Sequence, residues 1–189
     1  FKSDDEYDYL IIANNDILIP KGALGELVKS FEQWPYSMIV PMSTTNGVGH
    51  NPTQSIENYY QGMAPSCNDP KYYQEIQDKI LDVKEQTRKS NNLYILDTAR
   101  MKMFNGFFFM MNKNIIQYEQ NKTDLFKTDK IMTKNEDQFN WDCLISNNDF
   151  PALCKTSFVF HYKGVSTFDV FDNYTEISNN VDEWKRQRE

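Results

Sequence analysis

The stretch Tyr7–Asp16 constrains the fold of this chain more than any other. Its Leu10–Ala13 segment is continuously apolar, which predicts a strand covered on both faces, as in a parallel α/β sheet. Three oxygen-bearing side chains, Asn14, Asn15 and Asp16, follow at the carboxyl end of that strand. Open α/β sheets bind ligands there, and oxygen side chains suit a hard cation such as Mg²⁺ or Mn²⁺ that bridges substrate phosphates. Taken alone, the same residues are more typical of a turn, because such side chains cap their own backbone.

Composition indicates a folded globular chain and excludes one class of partner. The 189 residues fit a single domain, 1–189, of which 40% are hydrophobic and 25% charged. The net charge of −7 argues against nucleic-acid binding, because that function needs a basic surface. An acidic protein that handles phosphates is instead expected to use a metal ion between the like charges.

The cysteines indicate reduced thiols, and the histidines argue against a histidine-rich zinc site. Cys67, Cys143 and Cys154 are odd in number and form no CxxC motif, so we expect free thiols in a cytoplasmic protein. His50 and His161 are too few for a histidine-rich zinc site. No apolar run is long enough to predict an integral membrane segment.

The first predicted helix and the strand after it complete a strand-helix-strand unit. Leu24, Leu27, Val28 and Phe31 fall at helical spacing, with Glu26, Lys29 and Glu32 expected on the solvent face. The residue before Pro35 is pushed out of the helical region, so the helix is expected to end at Trp34. The next strand is predicted over Ser37–Met42, which gives a βαβ outline.

The remaining elements follow from the same patterns. The polar loop Thr44–Ser55 is long enough to suggest a function, although the sequence does not say what it binds. The other expectations are a helix over Tyr72–Arg88 with a solvated charged face, strands over Asn91–Thr98, Asn105–Met111 and Ser157–His161, a helix opening at Asn135, and a polar tail over 169–189. Acidic residues in the first turn of that last helix are also ordinary complements of the helix dipole.

The order of these motifs resembles the inverting family 2 glycosyltransferases. The chain presents a strand followed by Asn-Asn-Asp, then Asn-Gly-Phe-Phe-Phe-Met-Met, then Asn-Glu-Asp at a helix start, and then Phe-Val-Phe-His-Tyr-Lys-Gly-Val-Ser. Each motif alone is weak, but four in this order over most of the chain are more specific. The resemblance implies an α/β GT-A fold, a Rossmann-like mixed sheet flanked by helices. It also implies transfer of a sugar from a nucleotide-diphosphate sugar to an acceptor hydroxyl with inversion.

The resemblance also implies roles for individual residues. Asn14, Asn15 and Asp16 correspond to the acidic motif, with Asp16 binding the divalent cation, Mn²⁺ or Mg²⁺, and His161 adding a metal or diphosphate contact. Asp137 corresponds to the general base, with Glu136 beside it. The residues expected at the substrate, a carbohydrate or glycoconjugate acceptor included, are Gly106, Phe107, Trp141 and Ser166.

One part of the family pattern is missing. Family members begin with a nucleotide-binding strand-helix-strand segment, and nothing before Tyr7 matches it. We therefore expect the sheet to be incomplete at its amino terminus, so that the chain needs a preceding segment or self-associates. An inactive glycosyltransferase-like module for carbohydrate binding or scaffolding is the alternative. A metal-dependent nucleotidyltransferase ranks last, because the chain has no glycine-rich, lysine-containing phosphate loop.

Overall fold

A computed structural model describes residues 7–34, 36–44, 54–60, 69–87, 106–113 and 151–162, and these form a mixed α/β fold with a five-stranded mixed sheet flanked by helices. The strands are Tyr9–Ala13 (β1), Ile17–Leu18 (β2), Met38–Ser43 (β3), Phe108–Asn112 (β4) and Ala152–His161 (β5). The helices are Ala23–Gln33 (α1), Glu57–Tyr60 (α2) and Tyr73–Thr87 (α3), the last preceded by a 3₁₀ turn over Pro70–Tyr72.

The sheet topology places the ends of three strands together. The strand order is β1-β4-β3-β5-β2, with β4 antiparallel to both of its neighbours and β5 parallel to β3. Consequently β1, β3 and β5 run in the same direction, and they end at Ala13, Ser43 and His161. We call this side of the sheet its carboxyl end. The short β2 pairs antiparallel with β5 and therefore begins there.

Each face of the sheet carries its own buried cluster. Side chains alternate between faces along β3, so Met38, Val40 and Met42 pack with α3 on one side, the α3 face. Ile39 lies on the opposite side with Leu27 of α1, and we call this the α1 face. Both clusters draw on β3, β4 and β5, which explains why these strands are almost wholly buried.

The predicted strand after Tyr7 exists, but its expected burial on both faces is wrong. β1 is the last strand of the sheet in the described part of the chain and pairs antiparallel with β4. Its side chains are half-buried or exposed, and Ile11 is 37% exposed. A continuous apolar run does not by itself distinguish a central strand from an outer one. β2 was not predicted, since two residues are too few for a periodic pattern.

Helix α1 forms where expected but presents a different face to the core. It ends at Gln33, and Trp34 has extended backbone angles as Pro35 predicts. Glu26, expected at the surface, is 3% exposed, whereas Leu24, expected inside, is 37% exposed. The small side chains of α1 allow close approach to β5, where Ser157 Oγ donates to the Ala23 carbonyl at 3.0 Å. Glu26 lies on the same buried face of α1 as Ala23.

Helix α3 confirms the predicted amphipathic pattern with one exception on its polar face. Ile76 and Ile80 are buried, as expected, but Gln77 is buried as well. The register between β3 and β5 shifts between Pro41 and Met42, whose partners are Cys154 and Phe158. Gln77 therefore contacts an irregular part of β5.

The predicted strand over Asn105–Met111 is observed as β4, and the last predicted strand is observed as a longer β5. Cys154 is a free, buried cysteine, and burial raises the pKa of its thiol. Cys67 and Cys143 lie outside the described residues. So do the strand expected over Asn91–Thr98, the helix expected at Asn135 and the tail 169–189. In the part of the chain that the structure describes, no helix is long and apolar enough to cross a membrane.

Candidate functional site

The carboxyl end of the sheet brings together two residues that the sequence placed in different motifs. Asp16 Oδ1 lies 3.3 Å from His161 Nε2, and each side chain is only 9% exposed. The backbone holds the two residues in this relation, because Ile17 pairs with His161 and the Tyr162 amide donates to the Asp16 carbonyl at 2.9 Å. The contact between these side chains therefore follows from the pairing of β2 with β5.

The imidazole of His161 is held on further sides. The Phe107 ring stacks on it with centroids 4.7 Å apart and an interplanar angle of 13°. The hydroxyl of Thr44, at the end of β3, donates to the His161 carbonyl at 3.1 Å. The stacked Phe107 ring restricts rotation of the imidazole, and the Thr44 bond fixes the main chain at His161.

The turn after β1 is tied to the turn before β4. The backbone amide of Asn14 donates to the Phe107 carbonyl at 2.8 Å, and Gly106 lies half-buried in the turn that opens β4. Asn14 and Asn15 themselves are exposed. The bend over these residues is the turn that the sequence alone favoured. It also directs Asp16 inward, so a turn is compatible with a ligand-binding role of Asp16.

The geometry of the Asp16–His161 pair is compatible with two adjacent ligands of a divalent cation. Asp16 Oδ1 is buried and has no hydrogen-bond partner among the described residues. Its 3.3 Å separation from Nε2 is near the roughly 3.0 Å between adjacent ligands of an octahedral ion with bonds of about 2.1 Å. Within the described ranges, no group of three or more His, Cys, Asp and Glu side chains could hold a metal. Two protein ligands are sufficient where substrate phosphates complete the coordination, as for Mg²⁺.

The remaining predicted site residues lie outside the described residues. They are Glu136, Asp137, Trp141 and Ser166, and the loop histidine His50 also lies there. The site that the structure describes therefore consists of Asp16, His161 and Phe107, with Asn14, Asn15 and Gly106 at its margin.

Sequence reasoning missed the contribution of β3. Ser43 and Thr44 are buried at the carboxyl end of that strand, and Ser55 forms a parallel bridge with Ser43. The rule that singled out Asn14–Asp16 after β1, polar side chains directly after an apolar strand, applies equally to Ser43 and Thr44.

Comparison with protein-family models gives no match, and a search among curated proteins gives none either. The function of the site is therefore inferred from its own geometry.

Proposed function

We propose that this chain is an inverting glycosyltransferase domain of the GT-A type that uses a nucleotide-diphosphate sugar as donor. One observation carries the proposal: Asp16 and His161, from motifs at opposite ends of the chain, meet at the carboxyl end of a mixed α/β sheet. Ligands of open α/β sheets bind at that end. The buried Asp16 Oδ1 contacts His161 Nε2 but has no hydrogen bond among the described residues, which supports a cation shared by the two side chains.

We assign roles to the described residues on the basis of their contacts. Asp16 and His161 would hold Mn²⁺ or Mg²⁺, and the bound ion would stabilise the charge that develops on the leaving diphosphate. Phe107 keeps the imidazole plane fixed and shields the pair from water on one side. Asn14 and Asn15, exposed beside the pair, would contact the donor diphosphate through their amides.

The proton of the acceptor hydroxyl needs a base, and we assign this role to Asp137 with Glu136 beside it. A positioned carboxylate typically contributes about 10²–10⁴-fold to such a transfer. Gly106, Trp141 and Ser166 are assigned to the carbohydrate or glycoconjugate acceptor. The free thiol of Cys154 supports a reducing location, the cytoplasm.

Calorimetric titration of the chain with UDP or GDP, with and without Mn²⁺, tests the proposal. Binding should require the metal, and Asp16→Ala should abolish it, because the variant loses the only carboxylate of the described site. Asp8→Ala is a matched control, since Asp8 precedes β1 and is exposed. Equal binding with and without Mn²⁺ would contradict the metal site.

A transfer assay with nucleotide sugars separates an enzyme from a binding module. Asp137→Asn keeps the shape of the side chain but accepts no proton, so transfer should fall about 10²–10⁴-fold while donor binding persists. Asp142→Asn is the control and should transfer sugar normally. Metal-dependent donor binding by the unchanged chain without any transfer would favour the inactive, carbohydrate-binding module instead.

A further inference from the structure

Three buried side-chain oxygens without a hydrogen-bond partner among the described residues lie at one end of the sheet. They are Asp16 Oδ1, Ser43 Oγ and Ser55 Oγ, and this part of the chain has no other such oxygen. Ser43 is 3% exposed and Ser55 is 7% exposed. Leaving a buried hydroxyl unpaired costs about 1–3 kcal/mol, so the two serine hydroxyls call for a common explanation.

The two serines lie side by side. Ser43 and Ser55 form a parallel bridge, and the Ile56 amide donates to the Ser43 carbonyl at 3.0 Å. Residues paired in this way direct their side chains to the same face, with the backbones about 4.8 Å apart. The two hydroxyls are therefore adjacent.

The serines also share a face of the sheet with His161. Met42 packs on the α3 face, so the next residue, Ser43, is directed to the α1 face. Its partner in β5 is Val159, on the α1 face, and His161 follows two residues later on the same face. Ile56 packs on the α3 face, which places Ser55 on the α1 face independently. The hydroxyls therefore lie on the face that carries His161, with β5 between Ser43 and β2.

We propose that Ser43 and Ser55 form a subsite that binds hydroxyl groups of the sugar carried by the nucleotide donor. A serine hydroxyl both donates and accepts, which matches the hydroxyls of a sugar ring. Two hydroxyls on adjacent segments can bond two different hydroxyls of one ring. A phosphate fits less well, because an ionised phosphate offers acceptors only, whereas a sugar hydroxyl, like that of serine, both donates and accepts. The proposal rests on the proposed function, since it uses the same donor.

The test compares binding of a nucleotide with binding of the corresponding nucleotide sugar. UDP is paired with UDP-glucose, UDP-galactose and UDP-N-acetylglucosamine, and GDP with GDP-mannose, all with Mn²⁺. In the pair whose nucleotide sugar binds most tightly, Ser43→Ala and Ser55→Ala should each weaken nucleotide-sugar binding about 3- to 10-fold. Binding of the nucleotide alone should stay unchanged. Equal loss for both ligands would place the hydroxyls at the diphosphate and overturn the sugar subsite. Loss for neither ligand would also overturn it, and is the result expected if water bonds the two hydroxyls.

Thermal unfolding distinguishes a loss of sugar binding from a loss of stability. Removing a hydroxyl that has no partner should leave the melting temperature of either variant unchanged or raise it. Ser157→Ala is the matched control, because this buried serine donates to the Ala23 carbonyl at 3.0 Å. It should lower the melting temperature and leave the preference for the nucleotide sugar intact.

The subsite and the proposed function can fail separately. If the unchanged chain binds no nucleotide, the proposed function fails, and methyl glycosides of the same sugars then probe the subsite by ligand-observed NMR. Saturation transfer that both serine variants abolish would support the subsite without the donor nucleotide. Absence of any such signal would overturn it.

Discussion

The carboxylate of Glu26 is held inside the protein between two lysines of unequal exposure. Lys84 of α3 contacts one carboxylate oxygen and is only 11% exposed, whereas Lys29 contacts the other at 3.3 Å and is 54% exposed. Removing one partner of a buried ion pair leaves an uncompensated charge. Lys84→Met should therefore lower the free energy of unfolding by about 3 kcal/mol, as measured by urea denaturation.

Lys29→Met is the matched control for this prediction. It removes a lysine from the same carboxylate, but at an exposed position where such pairs contribute at most about 1 kcal/mol. The double variant Glu26→Gln with Lys84→Met should recover part of the stability, because no charge remains buried. Equal losses for the two lysine variants would mean that the buried contact contributes no more to stability than the exposed one.

At the scale of elements, the irregular part of β5 depends on one side chain of α3. Three residues, Lys155–Ser157, lie between the β5 partners of Pro41 and Met42, so the β3–β5 ladder is interrupted there. Gln77 replaces the missing partners: its Nε2 donates to the Thr156 carbonyl at 3.0 Å, and its Oε1 accepts from the Phe158 amide at 2.8 Å. A buried glutamine thus joins the helix to the strand that carries His161.

Gln77→Leu should lower the free energy of unfolding by about 2–4 kcal/mol, because it leaves a buried amide and a buried carbonyl unpaired. Gln74→Leu, one helical turn earlier, is the control. Gln74 also bonds main-chain groups, those of Lys21, but in contact with solvent, which can replace the lost bonds. Its loss should stay below about 1 kcal/mol. A Gln77 variant as stable as the Gln74 variant would show that water enters the bulge.

Elements with a strong periodic pattern could be predicted from the sequence, but their partners could not. The apolar spacing of Ile76 and Ile80 specified α3, and Pro35 specified the end of α1. Nothing local indicated that β4 would insert between β1 and β3, because pairing depends on residues far apart in the chain. The burial of Glu26 was missed for the same reason, since its partner Lys84 lies on α3, far along the chain.

The candidate site was predictable in part. Asp16, His161 and Phe107 were each named from their place in a motif, and the structure adds that His161 contacts both of the others. Ser43 and Ser55 were missed, because their burial and their bridge follow from tertiary structure alone. The assignments of Glu136, Asp137, Trp141 and Ser166 stay predictions.

At the scale of the whole molecule, the position of β1 predicts self-association of this chain. In the described residues β1 pairs with β4 on one side and ends the strand order, and its apolar Ile11 is 37% exposed. An exposed apolar outer strand offers amide and carbonyl groups to a strand of another molecule. Sedimentation velocity should therefore show the weight-average mass rising with concentration.

Ile11→Lys should suppress the rise, because a lysine on an outer strand opposes pairing between copies. Leu24→Lys is the control, since Leu24 is equally exposed, at 37%, but lies on α1. A mass that stays monomeric at every concentration, or equal suppression by both variants, would exclude β1 as the site of association.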